Sequence, residues 1–356
     1  MTLNLDLTIP TAMTEQICDP MRVVFMGTPP FARIILQALI KTQGYDVVAV
    51  FTQPDRPAGR GKKVVPPDVK LAAMTEGIPV HQPVNFNSDA SGINARELLT
   101  AYRPHVLVVA AYGLILPQSV LDIPSLMPIN VHASLLPRYR GAAPVQRSIM
   151  NQDNVTGITI MHMEAGLDTG PILLQKALVI GKDDTAPVLE RELAHLGAEL
   201  LLDSLNRLKN GSLISTPQDP AFASYAHKLK KEESRISLAV PAAQLHATLR
   251  GLTPWPGALL SLHRDGKDDL PVRVFPGTFP TLLHKQLEKQ LVGSLHVPFP
   301  CGQILGFTQQ TLLVACTNGH YAFSELQPVG KKIMSAEAFY NGYLSNSPNA
   351  YFYCPL

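Results

Sequence analysis

The chain has 356 residues, of which 46% are hydrophobic and 16% are charged, and its formal net charge is +2. This composition excludes a generally disordered chain, because it supplies enough apolar side chains for a sizeable core. The length suits two domains of roughly 100–200 residues each. So small a net charge does not itself point to a nucleic-acid partner, and the placement of the basic residues decides that question.

The N-terminal residues and the cysteines indicate the cellular compartment in which the protein is expected. The first twenty residues contain no Lys or Arg, unlike a secretory signal, so Met1–Pro20 is predicted to be a flexible extension. No apolar run reaches the ~18–20 residues that a membrane span needs. The cysteines fit no metal or disulfide spacing, which favours a reducing cytoplasm. They are Cys18, Cys301, Cys316 and Cys354.

Strands and helices alternate from Met21 onward. A helix is predicted over Phe31–Leu39, after the Thr28-Pro29-Pro30 turn, and another over Ala186–Leu208. The predicted strands are Arg22–Gly27, Val47–Thr52, Val106–Gly113, Pro128–Ser134 and Thr156–Met163. This alternation predicts an α/β domain with a parallel sheet, in which ligands bind beyond the carboxyl ends of the strands.

The composition changes after residue 209. Residues 210–236 are rich in Gly, Ser and Pro and then charged, which is typical of a linker. From 237 to 356 the segments are short and interrupted by Gly and Pro, which predicts a small β-barrel or sandwich. The chain is therefore divided into a domain at 21–209, a linker at 210–236 and a second domain at 237–356.

Asn130 and His132 lie two residues apart where a predicted strand ends. Residues i and i+2 of a strand face the same way, so both side chains meet whatever lies there. A lone histidine in this place is more often structural, but an asparagine on the same face and a polar loop behind it favour a site. Together they offer donors that can stabilise a developing oxyanion.

A carboxylate that could complete this set is Asp168, in the loop after the strand predicted at Thr156–Met163. Gly166 and Gly170 flank it and permit tight turning and close backbone approach. Taken alone, Asp168 would be an ordinary turn aspartate. Its position after a strand is what makes it a candidate.

Other chemistries are disfavoured by spacing. A metal site would have to draw on His132, His162, Glu164 and Asp168, but these match no metal motif, and we expect no metal. The turn after the first strand lacks the Gly-x-Gly-x-x-Gly pattern of dinucleotide sites. Walker A and Gly-x-Ser-x-Gly sequences are also absent from the chain.

A long basic segment, Gln53–Lys70, follows the second predicted strand. It holds five basic and two acidic residues, a local net of +3, where α/β loops usually run ~2–6 residues. The simple interpretation is a solvated basic loop. Further basic patches are Lys228, Lys230, Lys231 and Arg235 in the linker and Lys331 and Lys332 near the C-terminus. Three separated patches favour a polyanion laid across both domains.

Seven motifs, taken in order, resemble those of the methionyl-tRNA formyltransferases. They are FMGTPPFA, VFTQPDRPAGRGKK, AYGLILP, INVHASLLPRYRGAAPVQ, GLDTG, PWPG and QPVGKKIMSA. The resemblance covers about Met21 to Tyr340. The Asn-x-His…Asp set and the Leu-Leu-Pro loop are shared with all folate-dependent formyltransferases. The loop Gln-Pro-Asp-Arg-Pro-Ala-Gly-Arg-Gly-Lys-Lys is specific to the tRNA enzymes.

This resemblance implies a Rossmann-like formyltransferase domain with a parallel-rich sheet, followed by an OB-like β-barrel domain that helps to hold tRNA. It implies transfer of the formyl group of 10-formyltetrahydrofolate, a co-substrate, to the amino group of initiator methionyl-tRNA. It also implies a cytoplasmic monomer. Asn130 and His132 would donate to the formyl oxygen, and Asp168 would orient His132 and help to remove the amine proton.

The resemblance also assigns the binding residues. The folate contacts are expected at Tyr112, Gly113, Leu114, Ile115, Leu116, Ser134, Leu135, Leu136 and Pro137. The tRNA contacts are expected at Arg56, Arg60, Lys62, Lys63, Lys228, Lys230, Lys231, Lys331 and Lys332, with Arg60 entering near the top of the acceptor stem.

Three departures from the family pattern and three alternatives stand beside this assignment. Pro30 replaces a usually acidic residue, so the start of the first helix is expected to differ slightly. The first twenty residues have no counterpart in the family, and the strand order around Pro280–Gln303 is left open. The same site could serve a small amine, such as a sugar nucleotide or glycinamide ribonucleotide, or could hydrolyse 10-formyltetrahydrofolate. A nucleic-acid-binding module without activity is the third alternative, against which the intact Asn130, His132 and Asp168 argue.

Overall fold

The structure, a computed structural model, describes residues 20–58, 63–87, 89–279, 299–308 and 310–355. The predicted extension Met1–Pro20 lies outside these residues except for Pro20, and so do residues 280–298 of the segment whose strand order was left open. The chain divides into two compact units. The first comprises Met1–Pro144, Val155–Val179 and Val188–His227, and the second Val145–Asn154, Ile180–Pro187 and Lys228–Leu356.

The first unit is built on a seven-stranded sheet in the order β5-β2-β1-β6-β7-β8-β9. Its strands are β1 (Met21–Gly27), β2 (Tyr45–Phe51), β5 (Val80–His81), β6 (Val106–Ala110), β7 (Met127–His132), β8 (Val155–His162) and β9 (Ile172–Val179). A separate hairpin contains β3 (Arg56–Ala58) and β4 (Lys63–Val65). The first five strands of the sheet run parallel, which confirms the parallel-rich α/β prediction.

The last two strands of the sheet depart from a fully parallel arrangement. β8 is antiparallel to β7, and β9 is antiparallel to β8. The chain enters β8 from the carboxyl end of β7, so Thr159 pairs with His132 and His162 with Ile129. The end of β8 therefore lies beside the start of β7, and the loop that carries Asp168 has to fold back to reach the end of β7.

The helices of the first unit are α1 (Pro30–Lys41), α2 (Asp68–Thr75), α3 (Ala90–Ala101), α4 (Gln118–Leu121) and α6 (Ala186–Lys209). After Pro144, α5 (Pro144–Met150) belongs to the second unit. α1 begins at Pro30, whose fixed φ and missing N–H suit a first helical turn. One face of the sheet packs Val24, Met26 and Leu107 against Leu99 of α3, with Phe86 and Tyr112 in the same buried cluster. Burial of such side chains stabilises the fold by ~1.5–3 kcal/mol each.

The second unit consists mainly of antiparallel strands. They are β10 (Ala258–Arg264), β11 (Lys267–Val274), β12 (Ile304–Thr308), β13 (Thr311–Cys316), β14 (Gly319–Phe323), β15 (Glu325–Pro328), β16 (Met334–Ser335) and β17 (Tyr351–Tyr353). They form a five-stranded sheet, β16-β15-β11-β10-β17, and a three-stranded sheet, β12-β13-β14. Single bridges join Thr278, which follows β11, to Ala322 of β14, and Gln303, which precedes β12, to Tyr351 of β17, so the two sheets are linked at two places.

Two helices of this unit are α7 (Ala242–Leu252) and the short α8 (Ala336–Phe339). The interpretation of 237–356 as short strands missed α7. Its signal is present in the sequence: Leu245, Leu249 and Leu252 recur at helical spacing after Pro241, and all three are buried. Among the described residues, no helix is long and apolar enough to cross a membrane.

Candidate active site at the carboxyl end of β7

Three of the predicted side chains meet beside β7. Asn130 and His132 alternate with buried residues of the strand and reach the same side, as the i, i+2 spacing predicts. The Asn130 amide Nδ2 donates to Oδ1 of Asp168 at 3.4 Å, and His132 Nδ1 lies 3.7 Å from Oδ2 of the same carboxylate. The set proposed from the sequence is therefore brought together around one carboxylate.

The two nitrogens of His132 have different partners. Nε2 lies 2.9 Å from the carbonyl oxygen of Tyr139, and a carbonyl can only accept, so Nε2 carries a proton. The neutral imidazole then has its lone pair on Nδ1, the nitrogen that faces Asp168. His132 is only 6% exposed, so this orientation is fixed by its surroundings.

Asp168 reaches the site because its loop turns tightly. The loop leaves β8 beside Pro128, whose carbonyl accepts from the N–H of Met163 at 3.0 Å. A Cβ on Gly170 would lie 2.0 Å from the carbonyl oxygen of His162, so this position requires glycine. Asp168 itself adopts φ +52°, in the left-handed region, and its Oδ2 accepts from the Gly141 N–H at 2.7 Å.

The Asp168 loop also has an anchor that the sequence did not reveal. Gln218 Nε2 donates to the backbone oxygens of Asp168 and Gly170, at 2.8 Å each. Arg140 donates to Oε1 of Gln218 from Nε at 3.1 Å and from Nη2 at 2.8 Å. Gln218 lies in the segment interpreted as a linker, and no local pattern distinguishes it from an ordinary loop residue.

The segment after α6 runs along the first unit as far as His227. Thr216 exchanges two backbone hydrogen bonds with Ile172, both at 2.8 Å, and so extends the edge of the sheet. Farther on, Ser224 Oγ accepts from the Tyr139 N–H at 2.9 Å, and Ala226 N–H donates to the Arg140 carbonyl at 2.7 Å. These bonds hold the stretch that contacts His132 and Asp168.

The loop predicted to bind folate at Ser134–Pro137 is held by β8 and β9. The Thr159 hydroxyl donates to the Ser134 carbonyl at 2.7 Å and accepts from the Leu136 N–H at 3.0 Å. Gln175 Nε2 donates to the Leu136 carbonyl at 2.8 Å. Thr159 and Gln175 are supports that sequence reasoning missed, because they lie on other strands.

The second segment predicted to bind folate, Tyr112–Leu116, divides into buried and exposed parts. The side chains of Tyr112 and Leu116 belong to the core, and burial raises the pKa of Tyr112. Its carbonyl accepts from Thr28 Oγ1 at 2.9 Å and Gln53 Nε2 at 3.0 Å. Ile115 is 91% exposed, so the surface of this segment is formed by its middle residues, Gly113, Leu114 and Ile115.

The basic segment forms the β3–β4 hairpin. Arg56 and Lys63 are exposed on it, while Arg60 and Lys62 lie outside the described residues. Lys70, counted with the basic residues of this segment, is instead paired: its Nζ donates to both carboxylate oxygens of Asp55, at 2.9 and 2.7 Å, and to Gln82 Oε1 at 2.9 Å. This network secures the base of the hairpin.

The remaining basic candidates belong to the second unit, where all of them are exposed: Lys228, Lys230, Lys231, Lys331 and Lys332. The turn that carries Lys230 and Lys231 is fixed by Glu233, which accepts from the Lys230 N–H at 2.7 Å and from Arg147 Nη1 at 2.6 Å. Arg147 lowers the pKa of Glu233, which keeps this carboxylate charged.

The metal alternative gains no support. In the part of the chain that the structure describes, no group of three or more His, Cys, Asp or Glu side chains could hold a metal ion. His162 is partly buried, and burial lowers its pKa.

Comparisons with known proteins match two successive parts of the chain. A formyl transferase family model matches residues 21–205, and a formyl transferase C-terminal domain model matches 228–344. The methionyl-tRNA formyltransferase of Nitratidesulfovibrio vulgaris (strain DP4) is 47% identical over 326 residues, which cover 92% of this chain and 94% of that protein.

Solved structures of similar fold include HypX from Aquifex aeolicus in complex with tetrahydrofolic acid, with a TM-score of 0.59 at 15% identity. That match covers 92% of this chain and 48% of HypX. The N-formyltransferase from Helicobacter canadensis, in complex with folinic acid and dTDP-3-aminofucose, gives a TM-score of 0.56 at 15% identity over 86% of this chain and 99% of that one. At such identities these two structures indicate a common fold alone.

The family resemblance predicted from the motifs is thus confirmed by relatives that match most of the chain and by models for both of its parts. The chain belongs to the formyl transferase family.

Proposed function

We propose that the protein transfers the formyl group of 10-formyltetrahydrofolate to the amino group of methionine on initiator methionyl-tRNA. The observation that carries this proposal is the convergence of Asn130, His132 and Asp168, with the carboxylate 3.4 Å from the Asn130 amide nitrogen and 3.7 Å from His132 Nδ1. The relative from Nitratidesulfovibrio vulgaris, named methionyl-tRNA formyltransferase, supports the same acceptor.

The side chains divide the chemistry between them. Because Nε2–H of His132 is bonded to the Tyr139 carbonyl, His132 does not take the role of donor to the formyl oxygen that the resemblance implied. Instead Nδ1 of the neutral imidazole accepts the proton that the attacking amine loses, and the imidazolium so formed is stabilised by the Asp168 carboxylate beside it. The Asn130 amide donates to the formyl oxygen as that oxygen becomes negative. The loss of one such donor typically lowers kcat by ~10²–10³-fold. When the intermediate collapses, the bond between the formyl carbon and N10 of the folate breaks, and the proton taken up by His132 passes to that nitrogen, so that tetrahydrofolate leaves. Contacts at the site are slightly long for hydrogen bonds, and such contacts often tighten only when substrates are bound.

The folate co-substrate supplies the formyl group, and the described residues fit it. The folate contacts are assigned to the Ser134–Pro137 loop, fixed by Thr159 and Gln175, and to the segment after β6, where the exposed Ile115 offers an apolar surface that suits a flat ring system. Within Tyr112–Leu116, the contacts fall to Gly113, Leu114 and Ile115, because Tyr112 and Leu116 contribute through the core.

The basic hairpin favours a polyanionic acceptor over a small amine. Arg56 and Lys63 are exposed on the hairpin, and Arg60 and Lys62 lie between them in the sequence, a concentration of positive charge that a sugar nucleotide or glycinamide ribonucleotide would not need. The lysines of the second unit serve the same tRNA. In this scheme residues 21–209 form the catalytic domain, 210–236 the linker and 237–356 the tRNA-holding domain of a monomeric, cytoplasmic enzyme.

A single transfer assay tests the proposal. The protein is mixed with 10-formyltetrahydrofolate labelled in its formyl group and, in parallel, with methionine-charged initiator tRNA, a dTDP-amino sugar, glycinamide ribonucleotide or buffer alone. The label is expected on the tRNA-bound methionine at a rate at least 100-fold above every other arm. Transfer to a small amine, or release as formate in all arms, would overturn the proposal.

Salt dependence tests the hairpin separately. Replacing Arg56, Arg60, Lys62 and Lys63 by Gln removes up to four phosphate contacts, so the slope of log binding constant against log salt should fall by up to ~3.6. The KM for folate should stay unchanged. Lys41→Gln, at the exposed end of α1, is the control for loss of a positive charge. An unchanged slope in the hairpin variant would separate the hairpin from tRNA binding.

A further inference from the structure

Tyr139, Arg140 and Gly141 follow the Ser134–Pro137 loop, and each of them holds a different part of the active site. The Tyr139 carbonyl accepts from His132 Nε2 at 2.9 Å, and the Gly141 N–H donates to Asp168 Oδ2 at 2.7 Å. Between them, the Arg140 side chain, only 5% exposed, donates twice to Gln218. Gln218 in turn reaches the backbone on both sides of Thr169.

The orientation of the Gln218 amide follows from its partners. A guanidinium can only donate, so the atom facing Arg140 is Oε1. Backbone carbonyls can only accept, so the atom facing Asp168 and Gly170 is Nε2. Arg140 therefore fixes which way the amide points, and hydrogen bonding to a charged group strengthens the donors on its other end.

The Asp168 loop needs such an anchor, because its backbone conformation is unfavourable. Asp168 is a non-glycine residue in the left-handed region, which is less favourable than ordinary backbone, although Asp tolerates it better than most residues. The two bonds from Gln218 fix the peptide groups at Asp168 and Gly170, and hence the direction in which the carboxylate leaves the backbone. An error of ~1 Å in that direction can cost ~10²-fold in rate.

We propose that Gln218, oriented by Arg140, is a positioning residue for formyl transfer. It contacts neither substrate and acts by holding the Asp168 loop so that the carboxylate faces His132 Nδ1 and Asn130. This inference rests on the proposed function, and it gives the segment after α6 a part in the active site.

The test compares Gln218→Glu with wild type. The substitution keeps the shape of the side chain and the acceptor for Arg140, but it replaces the donors by an oxygen that faces two carbonyls. We expect kcat for formyl transfer to fall ~10–100-fold, with KM for both substrates within twofold. Gln218→Met, which introduces no charge, is the second variant and should show the same split. Gln37→Glu, on the exposed side of α1, is the matched control.

Hydrogen exchange at the Gly141 amide gives a readout that does not depend on turnover. This N–H is bonded to the Asp168 carboxylate, so displacement of the loop should accelerate its exchange at least tenfold in both Gln218 variants and leave it unchanged in Gln37→Glu. If the wild type transferred no formyl group, the proposed function would fail, while unchanged Gly141 exchange would overturn the positioning role.

A double mutant tests whether Gln218 affects kcat through Asp168. If Gln218 acts through Asp168, adding Gln218→Glu to Asp168→Asn should lower kcat by less than a further twofold. Fully multiplicative losses, or a kcat within twofold of wild type in the folded Gln218→Glu and Gln218→Met variants, would overturn the inference.

Discussion

At the scale of single residues, the chemistry of the site depends on the hydrogen-bond partners of the two ring nitrogens of His132. Its Nε2 proton is committed to the Tyr139 carbonyl, so only Nδ1 is left for chemistry. Asp168 faces that nitrogen while its own oxygens accept from Asn130 and Gly141. A histidine that can take up one proton beside a carboxylate suits the removal of a proton from an attacking amine.

We expect Asp168→Asn and His132→Ala each to lower kcat by ~10³-fold or more, because the first removes the charge that stabilises the imidazolium and the second removes the base. Binding of charged tRNA should stay within twofold of wild type, since neither side chain belongs to the basic surfaces. Single-turnover formyl transfer and filter binding measure the two quantities. Near-normal turnover in either variant would show that the assigned roles are wrong.

Residues of the site are predictable from the sequence where their placement depends only on neighbouring residues in the chain. Asn130 and His132 follow from the two-residue period of a strand, and Asp168 from its loop after β8. Gln218 and Arg140 could not be predicted, because their contact joins positions far apart in the chain through the path taken after α6. Lys70 was counted in the net charge of the basic segment because a sequence gives its charge but not its partner, Asp55.

At the scale of elements, the fold-back of the Asp168 loop depends on Gly170. In Gly170→Ala the new Cβ would lie 2.0 Å from the His162 carbonyl oxygen, and neither atom can move away without a shift of the backbone. We expect a loss of ~1–3 kcal/mol in the free energy of unfolding and a fall in kcat of at least tenfold. The control is Gly342→Ala, where a Cβ has no neighbour within 4 Å. Denaturant unfolding and steady-state rates check both, and normal kcat in Gly170→Ala would contradict the expectation.

The β3–β4 hairpin is the second element whose support can be tested. Lys70 and then Gln82 lower the pKa of Asp55 from its ordinary 3.8, so this carboxylate is charged and the anchor is present at neutral pH. In Lys70→Met the base of the hairpin loosens, and we expect KM for tRNA to rise ~10-fold while KM for folate changes less than twofold. Lys41→Met removes the same charge elsewhere. Equal effects in the two variants would mean that charge, and not anchoring, is responsible.

Elements were predictable where their pattern was complete. The buried strands β1, β2, β6 and β7 and the long helix α6 follow from periodicity, with ends that differ by a few residues. The direction of β8 was not predictable, since alternation identifies a strand but not the side from which the chain enters it. Helix α7 was missed because Gly and Pro around it favoured a strand interpretation, although its leucines recur at helical spacing.

At the scale of the whole molecule, histidines that are partly or fully buried contribute to the response to acid. Burial lowers the pKa of His81, His105, His162 and His246 from the ordinary 6.5. As the pH falls, these histidines are protonated near pH 6.5 in the unfolded chain but only at lower pH in the folded chain. Stability is fully present above that pH and is lost as pH falls toward the lowered values. Asp55 and Glu233 act in a separate window, because their lowered pKa values make stability fall only below about pH 4.5.

His246 allows this expectation to be tested in the second unit. It is 3% exposed, its Nε2 donates to the Lys182 carbonyl at 3.0 Å and its Nδ1 accepts from the Tyr321 hydroxyl at 2.7 Å, so a proton on Nδ1 would force the second bond to reverse and would place a charge in a buried site. In His246→Gln the free energy of unfolding should be lower at pH 7.5 but should fall less steeply between pH 7 and 5, by at most ~1.4 kcal/mol per pH unit. Urea unfolding followed by the fluorescence of Trp255, the single tryptophan, measures this slope.

The control is His195→Gln, at an exposed position on α6, which should keep the wild-type slope. An equally steep slope in His246→Gln would mean that the buried imidazole is not responsible for this pH dependence of the free energy of unfolding.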